Sequence, residues 1–203
     1  MAEPHCKDAV PDLTGTWVLN RRLSTDPDEI MVLQGVPWVI RKVLRHARLS
    51  LQMWQTTSPS AEKDTCTEEK HDESSVLADN SKSVTSLRVT QTVNPGGFDS
   101  EGSYFIDGSK QDASLPIFGD VQMQLQFIDR SEIVEDTIRE IVKVASLSDK
   151  VIQELAHNTT KGWEAEVIWG FEELEGKRYL TRNISTTKEE KKVIAKMVYD
   201  GPK

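Results

Sequence analysis

The chain has 203 residues, 25 basic and 33 acidic side chains, and a formal net charge of −8. That length suits one domain, or at most two small ones, with a core large enough to need neither disulfides nor a structural metal. The acidity argues against the clustered Lys and Arg of a nucleic-acid or anionic-membrane surface, and a hydrophobic share of only 37% requires some solvated, loop-like stretch.

Residues 1–12 are polar, carry Pro4 and Pro11, and read as a mobile tail without the apolar region of a secretory signal. Cys6 and Cys66 form no Cys-x2-Cys pair and read as free thiols in a reducing compartment. No apolar run approaches the roughly 20 residues of a membrane span. The sequons at Asn158 and Asn183 are then chance matches in a cytoplasmic protein.

Leu13 to Asn20, with Trp17 and Val18, reads as a first strand. Asp26-Pro27-Asp28-Glu29 has the chemistry of a helix start, a capping acid followed by Pro and first-turn acids, and Gly35 ends that short helix. A second helix opens at Val36-Pro37-Trp38 and runs to about Ala47, with Trp38, Val39, Val43 and Leu44 sharing an apolar stripe. Arg41, Lys42, Arg45 and Arg48 make it a basic exception in an acidic chain.

From residue 48 onward, period-two alternation dominates. Leu49, Leu51 and Met53 alternate with Ser50, Gln52 and Trp54; Leu87, Val89, Gln91 and Val93 with Arg88, Thr90 and Thr92. Val121, Met123, Leu125 and Phe127 alternate with Gln122, Gln124 and Gln126, and Trp163 to Phe171 repeats the pattern. Val193, Ala195, Met197 and Tyr199 share one face of the last run. Such runs are antiparallel strands with one wet and one buried face. Asn94-Pro95-Gly96-Gly97, Glu175-Gly176-Lys177 and the charged run 187–192 read as turns between them. Segment 131–145 stays open between a helix, on the stripe of Ile133, Ile138, Ile141, Val142 and Ala145, and a strand over 140–144. Residues 56–82 are the solvated stretch the composition requires, a polar insertion or a lid. No internal repeat is present.

Consecutive hairpins after a short helical segment predict an all-β architecture: a single closed, up-and-down antiparallel barrel over 13–203, with short N-terminal helices. Leu13-Thr14-Gly15-Thr16-Trp17 resembles the Gly-x-Trp signature of lipocalins and their calycin relatives, the fatty-acid-binding proteins included. The resemblance implies that Trp17 plugs one end of the barrel against an Arg of the last strands, Arg178 or Arg182. The run Trp169 to Tyr179 and the closing Met197-Val198-Tyr199-Asp200 look like small intracellular lipocalin-like proteins of filamentous fungi. The first 55 residues look similar to them too; the middle of the chain matches poorly.

Such a barrel encloses one hydrophobic molecule. Candidate ligand-binding residues are Trp38, Trp54, Tyr104, Phe118, Trp169 and Tyr199, with Phe105 and Trp163 as further aromatic candidates. Gln91 falls on an apolar strand face, where a buried amide needs a partner. Conventional catalytic sets are missing: no zinc spacing among His5, His46, His71 and His157, no nucleophile elbow and no Gly-rich phosphate loop. The expectation is therefore no metal and no cofactor. Lipocalin-like pericyclases of fungal secondary metabolism, Diels–Alder enzymes among them, share the barrel type. The resemblance implies a cofactor-free cyclisation or isomerisation of a polyketide- or terpenoid-like molecule, with Trp169, Tyr104 and Tyr199 shaping it and Gln91 or Arg182 polarising it; Gln91, Arg182 and Tyr199 are the catalytic candidates. The alternatives are a passive intracellular lipid carrier, its carboxylate held by Arg182 or Lys196 with Tyr199, and an interaction domain with a filled barrel. Expected partners exclude nucleic acid and include a possible second copy of the chain.

Overall fold

The computed structural model describes residues 10–58 and 83–201. The expectations for residues 1–9, for Cys6 and Cys66, for His5 and His71, and for most of the 56–82 segment lie outside the described residues. Thr56 to Ser58 belong to a strand rather than to the insertion, and Pro11 is buried, its carbonyl accepting the Gln55 side-chain amide at 3.2 Å.

Ten antiparallel strands form one sheet. They are β1 (Gly15–Leu19), β2 (Arg48–Ser58), β3 (Val84–Asn94), β4 (Ser100–Phe105), β5 (Lys110–Leu115), β6 (Gly119–Asp129), β7 (Lys150–Asn158), β8 (Trp163–Leu174), β9 (Lys177–Lys188) and β10 (Lys191–Asp200). Their order is β4-β3-β2-β1-β10-β9-β8-β7-β6-β5, so the first and last strands pair and the sheet curls into a nearly closed barrel. The seam lies between β4 and β5. There the Gln111 side chain takes the part of a strand neighbour, accepting the Phe105 amide at 2.7 Å and donating to the Phe105 carbonyl at 2.9 Å.

Alternation decides what faces inward. The register Trp169↔Arg182↔Met197, with Ile152↔Trp169 and Leu51↔Gln91, turns one continuous face of the strands onto the interior. Turn chemistry agrees with the sequence: Glu175 and Gly176 both take positive φ (52° and 72°) between β8 and β9, as a tight hairpin demands.

Two short helices, α1 (Asp28–Leu33) and α2 (Trp38–His46), join β1 to β2 and cap one mouth. Asp26 accepts the Asp28 amide at 3.1 Å, one residue before the helix that Pro27 caps. Met31 and Val36, with Ile40 and Leu44, pack on Ile117 and Phe118 of the β5–β6 turn and on Phe98 of the β3–β4 turn. The inward stripe of α2 is thus Ile40 and Leu44, while Trp38 and Val39 stand in solvent at 62% and 65% exposure. Of the sequence stripe, Val43 and Leu44 are half-buried, whereas Trp38 and Val39 in the first turn point to solvent.

At the opposite end Trp17 is buried, its Nε1–H donating to the Leu13 carbonyl at 2.9 Å. Gly15 has φ +148°, a conformation that side chains rarely adopt, and it packs directly against the indole, which accounts for the Gly-x-Trp spacing. Phe171 lies 5.6 Å from Trp17, and the Arg178 guanidinium stacks on Phe171 at 3.8 Å. Arg178 therefore reaches the plug through Phe171; Arg182 does not serve it.

Segment 131–145 is resolved as a helix, α3 (Asp136–Ala145), preceded by a 3-10 turn over Arg130–Glu132. It covers the outer face of the sheet, where Ile133, Ile138 and Val142 form a second core with Val151 of β7 and Ile168 of β8. This explains why residues on both faces of β7 and β8 are buried.

Candidate functional site

Two lobes of cavity, about 130 and 190 Å³, lie inside the barrel and share wall residues that include Gln91, Phe118, Met123, Glu154 and Arg182. Most of the lining is apolar: Leu87, Val89 and Leu125 in one lobe, Leu49, Val167 and Ile184 in the other. Apolar walls with a few convergent polar groups are the composition of a small-molecule site.

The polar groups converge from neighbouring strands. Glu154 of β7 and Trp169 of β8 are inward residues, and the Trp169 Nε1–H donates to Glu154 Oε2 at 2.7 Å. Arg182 of β9 pairs with Trp169 in register and lays its guanidinium over that indole at 4.1 Å, with Nη2 3.8 Å from Glu154 Oε2. Tyr199 of β10 is buried and stands beside Arg182 on the inner face. Burial works against the charge on Arg182, but Tyr199 and Glu154 outweigh it and hold the guanidinium above its ordinary range. The indole thus clamps the carboxylate and bears the cation, fixing both charges in one orientation.

Tyr104 of β4 faces the first lobe. Burial, and then the Glu154 charge, pushes its phenol above the ordinary tyrosine value of 10, so at neutral pH it is an un-ionised donor. Its ring lies flat along β4 over Gly102: a Cβ there would meet the ring at 2.6 Å (Cζ) and 2.8 Å (Cε2) and would collide with Oη. Gln91 of β3 adds an amide to both lobes.

The structure therefore brings Gln91, Arg182, Tyr199, Tyr104, Phe118 and Trp169 to one cavity, and adds Trp163, 6.2 Å from Phe118, to the wall of the larger lobe. Trp38 and Trp54 lie outside it. Trp38 is on the solvent side of α2 with Lys42 5.4 Å from its ring, and Trp54 sits on the outer face of β2, opposite to Leu51 and Met53. Phe105 likewise faces out. Lys196 is on the outer face of β10, where it pairs with the buried Glu172, which also accepts from Thr181 and Asn183. It is therefore no carboxylate anchor for the cavity. Gln122, Gln124 and Gln126 are on the outer face of β6; Gln126 donates to Gln153 at 2.8 Å, and Gln153 to Glu166 at 2.6 Å. Among the described residues no group of His, Cys, Asp or Glu stands together to hold a metal. No helix among them is long and apolar enough to cross a membrane.

Glu154 is the residue that the sequence reading missed. Its signal was present in Ile152-x-Glu154-x-Ala156, a carboxylate in phase with two apolar residues of one strand face.

These features define a nearly closed, calycin-like antiparallel barrel with an internal cavity and a Trp plug. The solved structures agree on the fold. The fluorescent protein UnaG aligns over 94% of this chain and 97% of its own, with a TM-score of 0.51 and 12% identity. As-p18, an extracellular fatty acid binding protein, aligns over 97% of this chain and 100% of its own, with a TM-score of 0.52 and 11% identity. No protein-family model matches the chain. Among curated sequences it shows weak homology to "Probable pericyclase scpY" of Mollisia scopiformis, 26% identical over 198 residues that span 94% of this chain and 91% of the relative.

Proposed function

We propose that the barrel encloses a hydrophobic small molecule and templates its cofactor-free cyclisation or isomerisation, a pericyclase-type step such as a Diels–Alder reaction in fungal secondary metabolism. The observation that carries this reading is the convergence of the donors Arg182, Tyr104, Tyr199 and Gln91, with Glu154 beside them, on a cavity whose wall is otherwise mostly apolar. Homology to a protein named as a pericyclase, along nearly the whole chain, supports it.

A pericyclic step redistributes the substrate's own bonds, so no proton or electron enters or leaves. The chain's contribution is then shape and electrostatics. The apolar walls hold an extended polyene folded with its reacting carbons in contact, which removes conformational freedom before the barrier. Trp169 and Phe118 limit how it folds. A donor on a conjugated carbonyl withdraws electron density from the reacting π-system, and a preorganised donor does so without solvent reorganisation. A cytoplasmic place of action belongs to the same reading.

A passive lipid carrier is the second reading, favoured by one observation: Arg182 and Tyr199 stand together in the cavity, as a carboxylate holder requires. The two readings separate on turnover. Sub-stoichiometric protein added to linear polyene carbonyls is expected to convert many equivalents of one precursor, followed by chromatography against a buffer control. Binding without conversion across the panel would support the carrier and overturn the pericyclase.

A further inference from the structure

Among the described residues, Arg182 is the one cation that lines both lobes, and its charge is already answered. Glu154 Oε2 lies 3.8 Å from Nη2, and the carboxylate is buried, with side-chain exposures of 22% for Arg182 and 10% for Glu154. Trp169 locks both partners, donating to the carboxylate at 2.7 Å and lying under the guanidinium at 4.1 Å. The carboxylate cannot swing away to make room for another anion without abandoning that donor in an apolar cavity.

At this pair an incoming carboxylate would meet zero net charge, and Arg21, a cation on the wall of the larger lobe alone, is turned to the Leu44 and Ala47 carbonyls. It would lose its hydration and face Glu154 as a like charge. A neutral carbonyl meets none of these costs. It accepts from Arg182, Tyr104 or Gln91, and a hydroxyl or N–H beside it finds an acceptor in Glu154, whose hydrogen-bond donor is Trp169 and whose ion-pair partner is Arg182 at 3.8 Å.

We propose that the Glu154–Arg182 pair sets the cavity's specificity: it selects an uncharged head group that accepts and donates a hydrogen bond, a hydroxy- or N–H-bearing carbonyl, and rejects carboxylates. This rests on the reading of the cavity as a ligand site and narrows the substrate class. Glu154 is then the specificity-determining residue, and its removal turns the barrel into an anion binder.

Four probes of one chain length separate the terms: decanamide (accepts and donates), methyl decanoate (accepts only), decanoate (anion) and decylammonium (cation). Binding is read from tryptophan fluorescence of the whole protein at neutral pH. The unaltered protein is expected to bind decanamide tightest, then the ester, with decanoate weaker than the amide by about ten-fold or more. Glu154→Gln keeps the shape and an acceptor for Trp169, and is expected to place decanoate above decanamide. Arg182→Gln leaves Glu154 alone and is expected to favour decylammonium. Opposite reversals in the two variants cannot come from a shared loss of folding, and each variant's matching ion should raise its melting temperature. Decanoate binding the unaltered protein as tightly as decanamide would overturn the proposal, as would an unchanged ranking in both variants, or no binding of any probe. If the ranking holds but no polyene is turned over, the specificity stands and the pericyclase reading falls.

Discussion

Tyr104 lies where only a glycine lets it lie. With a side chain at Gly102 the phenol ring and its hydroxyl would have to leave the floor of β4, because the added Cβ falls 2.6 Å from Cζ. Gly102→Ala is therefore expected to act as a displaced Tyr104, lowering turnover of a polyene carbonyl roughly as much as Tyr104→Phe, about ten-fold if one hydrogen bond of about 1–1.5 kcal/mol is lost. Parallel rate assays of the two variants check this; full activity in the Gly102→Ala variant would contradict the assigned position. Legibility at this scale follows burial. Gln91 could be read because its neighbours Val89 and Val93 are plainly apolar, so the amide stood out against them. Glu154 stood out less, since β7 carries apolar residues on both faces, Val151 and Leu155 outside and Ile152 and Ala156 inside, with Lys150, Gln153 and His157 between them, and the helix that covers the outer face removes the contrast between wet and buried sides. Trp54 could have been excluded, because the alternation that turned Leu51 and Met53 inward turned it outward. Trp38 was misjudged since aromatic size argues for burial, whereas its place in the turn of α2 argues for solvent.

At the scale of elements, α3 braces the site from behind. Ile138 and Val142 press on Val151 and Ile168, whose strand neighbours Ile152 and Trp169 face the interior. Ile138 is completely buried, so Ile138→Ala is expected to cost about 2–5 kcal/mol in a denaturant titration. The ranking of neutral over charged ligands should persist, because no residue of the helix lines the cavity; a lost ranking would show that α3 sets the site's geometry. The N-terminus of α3 carries an acid sensor of modest size. Glu135 accepts the Thr137 amide and pairs with Lys192 of β10 at 2.5 Å, and the Lys192 hydrogen bond, opposed by burial, holds the carboxyl below its ordinary value of 4.5. A lowered folded-state pKa means stability that is full above pH 4.5 and lost as pH falls through the lower value. Melting temperatures taken from pH 7 to pH 3 should fall less steeply for Glu135→Gln than for the unaltered chain; identical slopes would contradict the pairing. This element was legible only as an ambiguity, for Ile138, Ile141 and Val142 satisfy both periods and the outer face of a barrel strand is not where a single sequence advertises a partner.

For the whole molecule, the acidity of the chain is displaced from its function. Among the described carboxylates, Glu154 in the cavity and Glu172 beside the end of α3 are buried and the rest keep access to solvent. The barrel was legible as a whole because strand alternation, turn residues and the Gly-x-Trp plug point to one architecture independently. What it encloses was less so, since the decisive group is a pair of charges that cancel and leave no mark on the composition. The central claim is that this neutral, donor-lined interior folds a reactive molecule and advances its ring closure. The most direct test is the isomer ratio of the cyclised product from one linear polyene carbonyl, measured with and without the protein. Faster conversion and enrichment of a single stereoisomer are predicted, both lost when Arg182 is replaced by Gln. The same rate and the same isomer ratio as in buffer would contradict the claim.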